Sequence, residues 1–127
     1  MNDYEAHEIA LIGLFFIFFV INIIDVFSTL VGLSNGLIEL NWLAVMLMQK
    51  IGILPALVLL KAFFLAIIGA TTWAVLRVDP SDFLDDNFMI GGLLLLNVFG
   101  FFVLSNNLSY LGLWPHYLPV YHFKAFF

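Results

Sequence analysis

The chain has 127 residues, of which 64% are hydrophobic, and its nine acidic and four basic residues give a formal net charge of −5. Its charged fraction of 10% is far below the roughly 25% of an average soluble domain. A globule of this size has too much surface to hide 15 Phe, 3 Trp and 4 Tyr. These values exclude a soluble enzyme, a nucleic-acid-binding domain and a disordered chain, and they predict an all-α integral membrane protein.

The absence of cysteine removes disulfides, thiolate metal sites and cysteine nucleophiles. The four basic residues are scattered, so no basic patch for nucleic acid is expected. The first residues are acidic where a cleavable signal peptide would be basic, and no small-residue cleavage site follows the apolar run. We therefore expect the first apolar segment to be retained as a membrane anchor.

Three segments are long and apolar enough to cross a membrane, which takes about 20 mostly apolar residues. They cover residues 9–33, 54–77 and 88–113. The interior of the first carries one charge, Asp25, the interior of the second carries one charge, Lys61, and the third carries none. The pattern predicts a single transmembrane helical domain over residues 1–127.

A further apolar stretch at residues 41–50 lies between the first two spans and is too short to cross a membrane. Gly52 and Pro55 separate it from the second span, and Glu39 or Asn41 is suited to cap its start. We expect an interfacial or re-entrant helix here. The alternative is one long bent helix over residues 41–77.

The charges differ between the two sides that three spans define. The segment between the first two spans and the C-terminal tail lie on one side, with Lys50 and Lys124. The other side holds Arg77 and most of the carboxylates. The positive-inside rule then predicts a cell-membrane protein with its N-terminus outside and its C-terminus in the cytoplasm.

The two charges inside the spans lie at matching depths. At 1.5 Å per helical residue, Asp25 is about 12 Å and Lys61 about 10 Å from the same membrane surface, so we expect an ion pair. Asn22 and Thr29 share a helix face with Asp25, and Ser28 flanks it. Two interpretations stay open: the pair fixes helix packing, or it serves as a site for a proton, an ion or a polar headgroup. The predicted buried polar cluster is Asn22, Asp25, Ser28, Thr29, Glu39, Asn41 and Lys61, with Ser105 and Asn106 as further candidates.

Five members of this cluster give the chain a resemblance to a family of small prokaryotic multi-pass membrane proteins of unknown function. In that family an Asp and a Thr one turn apart precede a Glu-x-Asn-Pro stretch and a Lys in the next span. Trp42 stands where the family has proline. The resemblance covers about residues 20–65 and implies a grouping of these residues but no activity. The matching residues are Asp25, Thr29, Glu39, Asn41 and Lys61.

The C-terminal tail is aromatic, and Pro115 and Pro119 exclude a continuous helix there. Aromatic side chains suit a membrane interface or the surface of a partner protein. His7 lies on the other side of the membrane from the two tail histidines, so no three-histidine metal site is expected within the chain. The predicted docking residues are Trp114, His116, Tyr117, Tyr121, His122, Phe126 and Phe127.

No Ser-His-Asp order, phosphate-binding glycine loop or HExxH motif is present. We therefore expect no catalytic residues, no metal and no intrinsic cofactor. The favoured function is a non-catalytic accessory subunit of a respiratory, photosynthetic or membrane-oxygenase complex, in contact with lipids and other membrane subunits. The alternatives are a small oligomeric transporter or channel that uses the Asp25–Lys61 pair, and a protein that binds lipid headgroups through Glu39 and Asn41.

Overall fold

The computed structural model describes residues 3–36, 42–77 and 86–112. These residues form four helices, α1 (Asp3–Ser34), α2 (Trp42–Ile51), α3 (Ile53–Arg77) and α4 (Asp86–Tyr110). Helices α1, α3 and α4 are long and apolar enough to cross a membrane, and α2 is a shorter apolar helix. The predicted all-helical architecture of three spans and one short helix is confirmed.

Helices α1 and α4 differ from the predicted spans at their ends. The 32 residues of α1 correspond to about 48 Å, more than the roughly 30 Å of a hydrocarbon core. It begins at Asp3, so the acidic residues before the predicted span are helical as well. Helix α4 stops at Tyr110, before the predicted end at residue 113, because Gly112 adopts a φ of 70°. A left-handed glycine at this place closes the last turn of a helix.

The break between α2 and α3 is a single residue, Gly52, with a φ of 93°. Its N–H donates to the Met48 carbonyl at 3.0 Å, and its own carbonyl accepts from the Ala56 N–H at 3.2 Å. Pro55 falls in the first turn of α3, where a missing N–H costs nothing. The short helix is therefore separate from α3 and packs against it, and the alternative of one continuous helix is not what the structure shows.

Helix α1 is the centre of the packing. It contacts both α3 and α4, whereas no comparable contact joins α3 to α4 in the described part of the chain. Helices α1 and α4 run parallel, since their two hydrogen-bonded pairs have nearly constant separations of 83 and 82 residues. We call the end where α1 and α4 finish the Ser34 end, and the opposite end, where α3 finishes, the Arg77 end.

The interior of the bundle is unusually polar. A stripe of buried residues with the spacing of close-packed helices runs along α1, and it includes Asn22, Asp25 and Thr29. Large apolar side chains such as Phe16 and Phe27, 64% and 63% exposed, cover the outside. This distribution reverses that of a soluble protein and fits a chain surrounded by lipid. The remaining buried polar residues are Ser28, Thr72, Asn97, Ser105 and Asn107.

Candidate functional site

Asp25 of α1 is the most buried ionisable residue in the described helices, and its charge is paired. The residue is 3% exposed, and its Oδ2 lies 2.7 Å from Nζ of Lys61 on α3. The matching depths of the two residues in the sequence led us to expect this ion pair. Oδ2 has no other polar partner among the described residues.

The second carboxylate oxygen of Asp25 is used by α4. Asn107 donates a hydrogen bond from Nδ2 to Asp25 Oδ1 at 2.8 Å. Asp25 therefore binds one side chain from each of the two other long helices, which make no comparable direct contact with each other in the described residues. We call these three residues, Asp25, Lys61 and Asn107, the Asp25 junction.

The predicted neighbours of Asp25 on α1 are buried, but their hydrogen bonds stay within that helix. Ser28 Oγ donates to the Asp25 carbonyl at 3.0 Å, and Asn22 Nδ2 donates to the Phe18 carbonyl at 2.8 Å. Thr29 is 9% exposed and lies on the same face. These side chains surround the junction without joining α1 to another helix through those bonds.

The other predicted site residues are either on α4 or outside the part of the chain that the structure describes. On α4, Ser105 is buried and Asn106 is half-buried. Neither is the residue that bonds to Asp25. Outside the described residues are Glu39 and Asn41 of the proposed motif and the whole predicted docking tail: Trp114, His116, Tyr117, Tyr121, His122, Phe126 and Phe127.

Asn107 is the junction residue that sequence reasoning did not single out. It belongs to a segment, residues 105–109, in which every residue but Leu108 is polar and successive side chains point in different directions around the helix. A signal was available: Asn97, Leu104 and Asn107 follow the spacing of a packed helix face, with Leu93 one turn earlier. Residues 93, 97, 104 and 107 are indeed all buried.

A second interhelical polar contact lies nearer the Arg77 end. Asn97 Nδ2 donates to the Leu14 carbonyl of α1 at 3.1 Å and to the Leu93 carbonyl of its own helix at 2.8 Å. Its Oδ1 is buried and has no hydrogen-bond partner among the described residues. Thr72 of α3 is buried as well, and its hydroxyl donates to the Ile68 carbonyl at 2.8 Å.

Two glycines allow α3 and α4 to approach α1 closely. A Cβ at Gly69 of α3 would lie 3.1 Å from the Phe15 ring, and a Cβ at Gly100 of α4 would lie 3.0 Å from Cγ2 of Ile21. Small residues at helix contacts are the usual way in which membrane helices pack. Of the other small residues along α3, Ala56 is buried, whereas Ala62, Ala66 and Ala70 are exposed.

The chemistry of the Asp25 junction is that of a closed contact. One carboxylate and one ammonium neutralise each other, and the amide of Asn107 takes the remaining carboxylate oxygen. No group of three or more His, Cys, Asp or Glu side chains that could hold a metal occurs in residues 3–36, 42–77 and 86–112. The geometry suits holding helices together better than binding a ligand.

The chain belongs to the family described as "Domain of unknown function (DUF5658)", whose model matches residues 16–113. The match includes most of α1, all of α2, α3 and α4, and every member of the Asp25 junction. With its three apolar helices, the chain is a member of a small membrane protein family of unknown function, as the resemblance implied. No curated protein and no solved structure matches the chain.

Proposed function

We propose that this DUF5658 protein is a non-catalytic structural subunit of a larger membrane complex of respiratory, photosynthetic or oxygenase type. The observation that carries the proposal is the Asp25 junction, in which both carboxylate oxygens are committed to side chains of the same chain. Because each oxygen already has a partner inside the chain, we propose that Asp25 is a structural contact and not a proton or ion site. Its role is then to hold three spans at a fixed relative depth.

The energetics of a low-dielectric environment favour this role. An isolated charge in the middle of a span is expensive, so Asp25 and Lys61 stabilise each other by remaining together. Interhelical hydrogen bonds in membranes contribute about 1 kcal/mol each. The junction therefore penalises movement along α1 of both other helices: a shift of α3 would separate the two charges, and a shift of α4 would break the hydrogen bond from Asn107.

The outer surface supports a role in assembly. Large apolar side chains cover all three long helices; Phe16, Phe63 and Phe88 are 64%, 60% and 69% exposed. We propose that lipids and the helices of other subunits cover these faces, that the aromatic tail docks on a partner, and that no intrinsic cofactor is bound. We also propose an N-terminus outside the cell and a C-terminus in the cytoplasm, because the predicted topology puts Lys50 and Lys124 on one side of the membrane and Arg77 alone on the other.

The family membership supports a shared motif. We propose that a prokaryotic group within the family shares one motif of five residues. In this chain the motif is Asp25, Thr29, Glu39, Asn41 and Lys61. The ion pair of Asp25 and Lys61, with Thr29 buried one turn from Asp25, places three of the five residues together.

Native gel electrophoresis of mildly solubilised source membranes, with mass spectrometry of each band that contains the chain, tests the proposal. We expect one high-mass band with reproducible partners. Deletion of residues 115–127 should weaken that assembly without unfolding the spans. A low-mass band that contains this chain alone would contradict the proposal.

One observation favours a second candidate, a small oligomeric transporter or channel. The Lys61 side chain is 23% exposed, against 4% for that of Asp25, so one member of the pair is reachable from outside the bundle. Three spans cannot enclose a path, so this function needs several copies. A flux in reconstituted vesicles that disappears in a well-folded Asp25→Leu/Lys61→Met variant would support it over the structural role.

A further inference from the structure

Helices α1 and α4 are joined at several heights of the bundle. Toward the Arg77 end, Asn97 donates to a backbone carbonyl of α1 at 3.1 Å. In the middle, Gly100 brings the α4 backbone against the methyl group of Ile21. Toward the Ser34 end, Asn107 binds Asp25 at 2.8 Å. These contacts hold the two parallel helices between residues 14–25 of α1 and 97–107 of α4.

Helix α3 is held on α1 through fewer specific contacts. Gly69 lies against the Phe15 ring, and nearer the Ser34 end the polar link is the Lys61–Asp25 pair. Only 11% of the α3 span is buried, against 22% for α1 and 17% for α4. In the described residues α3 has no contact with α4 comparable to its contact with α1.

The two partners of Asp25 are not held equally. The Lys61 side chain is 23% exposed, whereas Asn107 is 7% exposed. If Lys61 moves away, Asp25 keeps its hydrogen bond from α4. Helix α2 packs against α3 and joins it through the single residue Gly52, so it moves with α3.

We propose that α2 and α3 move together as one unit, the arm, and separate from the fixed α1–α4 pair at the Ser34 end. The Asp25–Lys61 ion pair is the latch, the contact that must break before the arm can move. The close contact of Phe15 with Gly69 is the pivot. Opening frees Oδ2 of Asp25 toward the space that Lys61 leaves, so that a polar group of a partner can reach it. This motion rests on the structural role proposed above and adds a reversible step to it. It does not depend on which complex the chain joins.

Distances between spin labels in lipid nanodiscs test this motion. The chain has no cysteine, so labels attach only where cysteines are introduced. The arm pair is Val31→Cys with Leu54→Cys, which joins α1 to α3 near the Ser34 end. The control pair is Val31→Cys with Phe102→Cys, which joins α1 to α4. All three positions are exposed in the bundle, at 45%, 49% and 53%.

With Lys61→Met as the latch variant, we expect the arm pair to gain a population at longer distance while the control pair keeps its native distance. Asp25→Asn opens the same latch from the other side and replaces Lys61→Met if that variant does not fold. Asn107→Leu should change neither distance. An arm pair that keeps its native distance would overturn the proposal, as would an equal spread of both pairs or a control pair that moves in Asn107→Leu.

Discussion

Asn107 donates a hydrogen bond of 2.8 Å to Asp25, although 82 positions separate the two residues in the chain. The other oxygen of the same carboxylate lies 2.7 Å from the Lys61 ammonium. One side chain thus connects all three candidate spans.

Replacing Asn107 by Leu should lower the free energy of unfolding by about 1–2 kcal/mol, because the variant removes a buried hydrogen bond to a charged group. The measurement is reversible unfolding in mixed micelles with a denaturing detergent. Asn35→Leu is the control, since Asn35 is exposed just after α1 and its Nδ2 donates to the Val31 carbonyl in the last turn of that helix. Equal losses for the two variants would show that Asn107 has no special role.

Asn97→Leu should cost less than Asn107→Leu, although the two residues lie on the same helix and both bond to α1. Asn97 Oδ1 is buried and has no partner in residues 3–36, 42–77 and 86–112. Removing an unpaired acceptor relieves about 1–3 kcal/mol, which offsets the lost hydrogen bond to Leu14. The same unfolding experiment measures the difference. A larger loss for Asn97→Leu than for Asn107→Leu would mean that Oδ1 has a partner in the membrane.

Gly100→Leu should destabilise the bundle by about 1–3 kcal/mol, because the new side chain collides with Ile21 and forces α4 away from α1. Gly92→Leu on the same helix is the matched control, since a Cβ there meets no atom within 4 Å. Adding Ile21→Ala to Gly100→Leu should return part of the loss. If Gly92→Leu were as harmful as Gly100→Leu, the close approach at Gly100 would not be the cause.

Gly52→Ala should cost about 1–2 kcal/mol, because an L-residue is strained at a left-handed φ. The φ of 93° at this position separates α2 from α3. Gly13→Ala is the control: Gly13 lies inside α1, and its Cβ would meet no atom within 4 Å, so the change should be neutral or stabilising. A stable Gly52→Ala protein would indicate that α2 and α3 can join into one helix.

The spans and the ion pair could be predicted from the sequence. Twenty apolar residues cross a bilayer whatever their neighbours are, and the depths of Asp25 and Lys61 follow from counting residues along two helices. The rotation that turns the two charges toward each other follows from the cost of leaving either charge unpaired inside a membrane.

The role of Asn107 could not be predicted because it depends on the rotation of α4. Ser105, Asn106 and Asn107 have similar depths, and only the packing of α4 on α1 decides which of them faces Asp25. The helix end at Tyr110 was missed for a local reason: Leu111 and Leu113 continue the apolar run, whereas the left-handed Gly112 ends the helix.

The most direct test of the Asp25 junction is a mutant cycle on its three residues. Asp25→Leu or Lys61→Met alone leaves one buried charge without its partner and should lower the free energy of unfolding by about 3–5 kcal/mol. The double variant should recover most of that loss, and adding Asn107→Leu should recover more, because the last unpaired donor is then removed. If the double variant had no higher free energy of unfolding than the less stable single variant, the structural role of the Asp25–Lys61 pair would be contradicted.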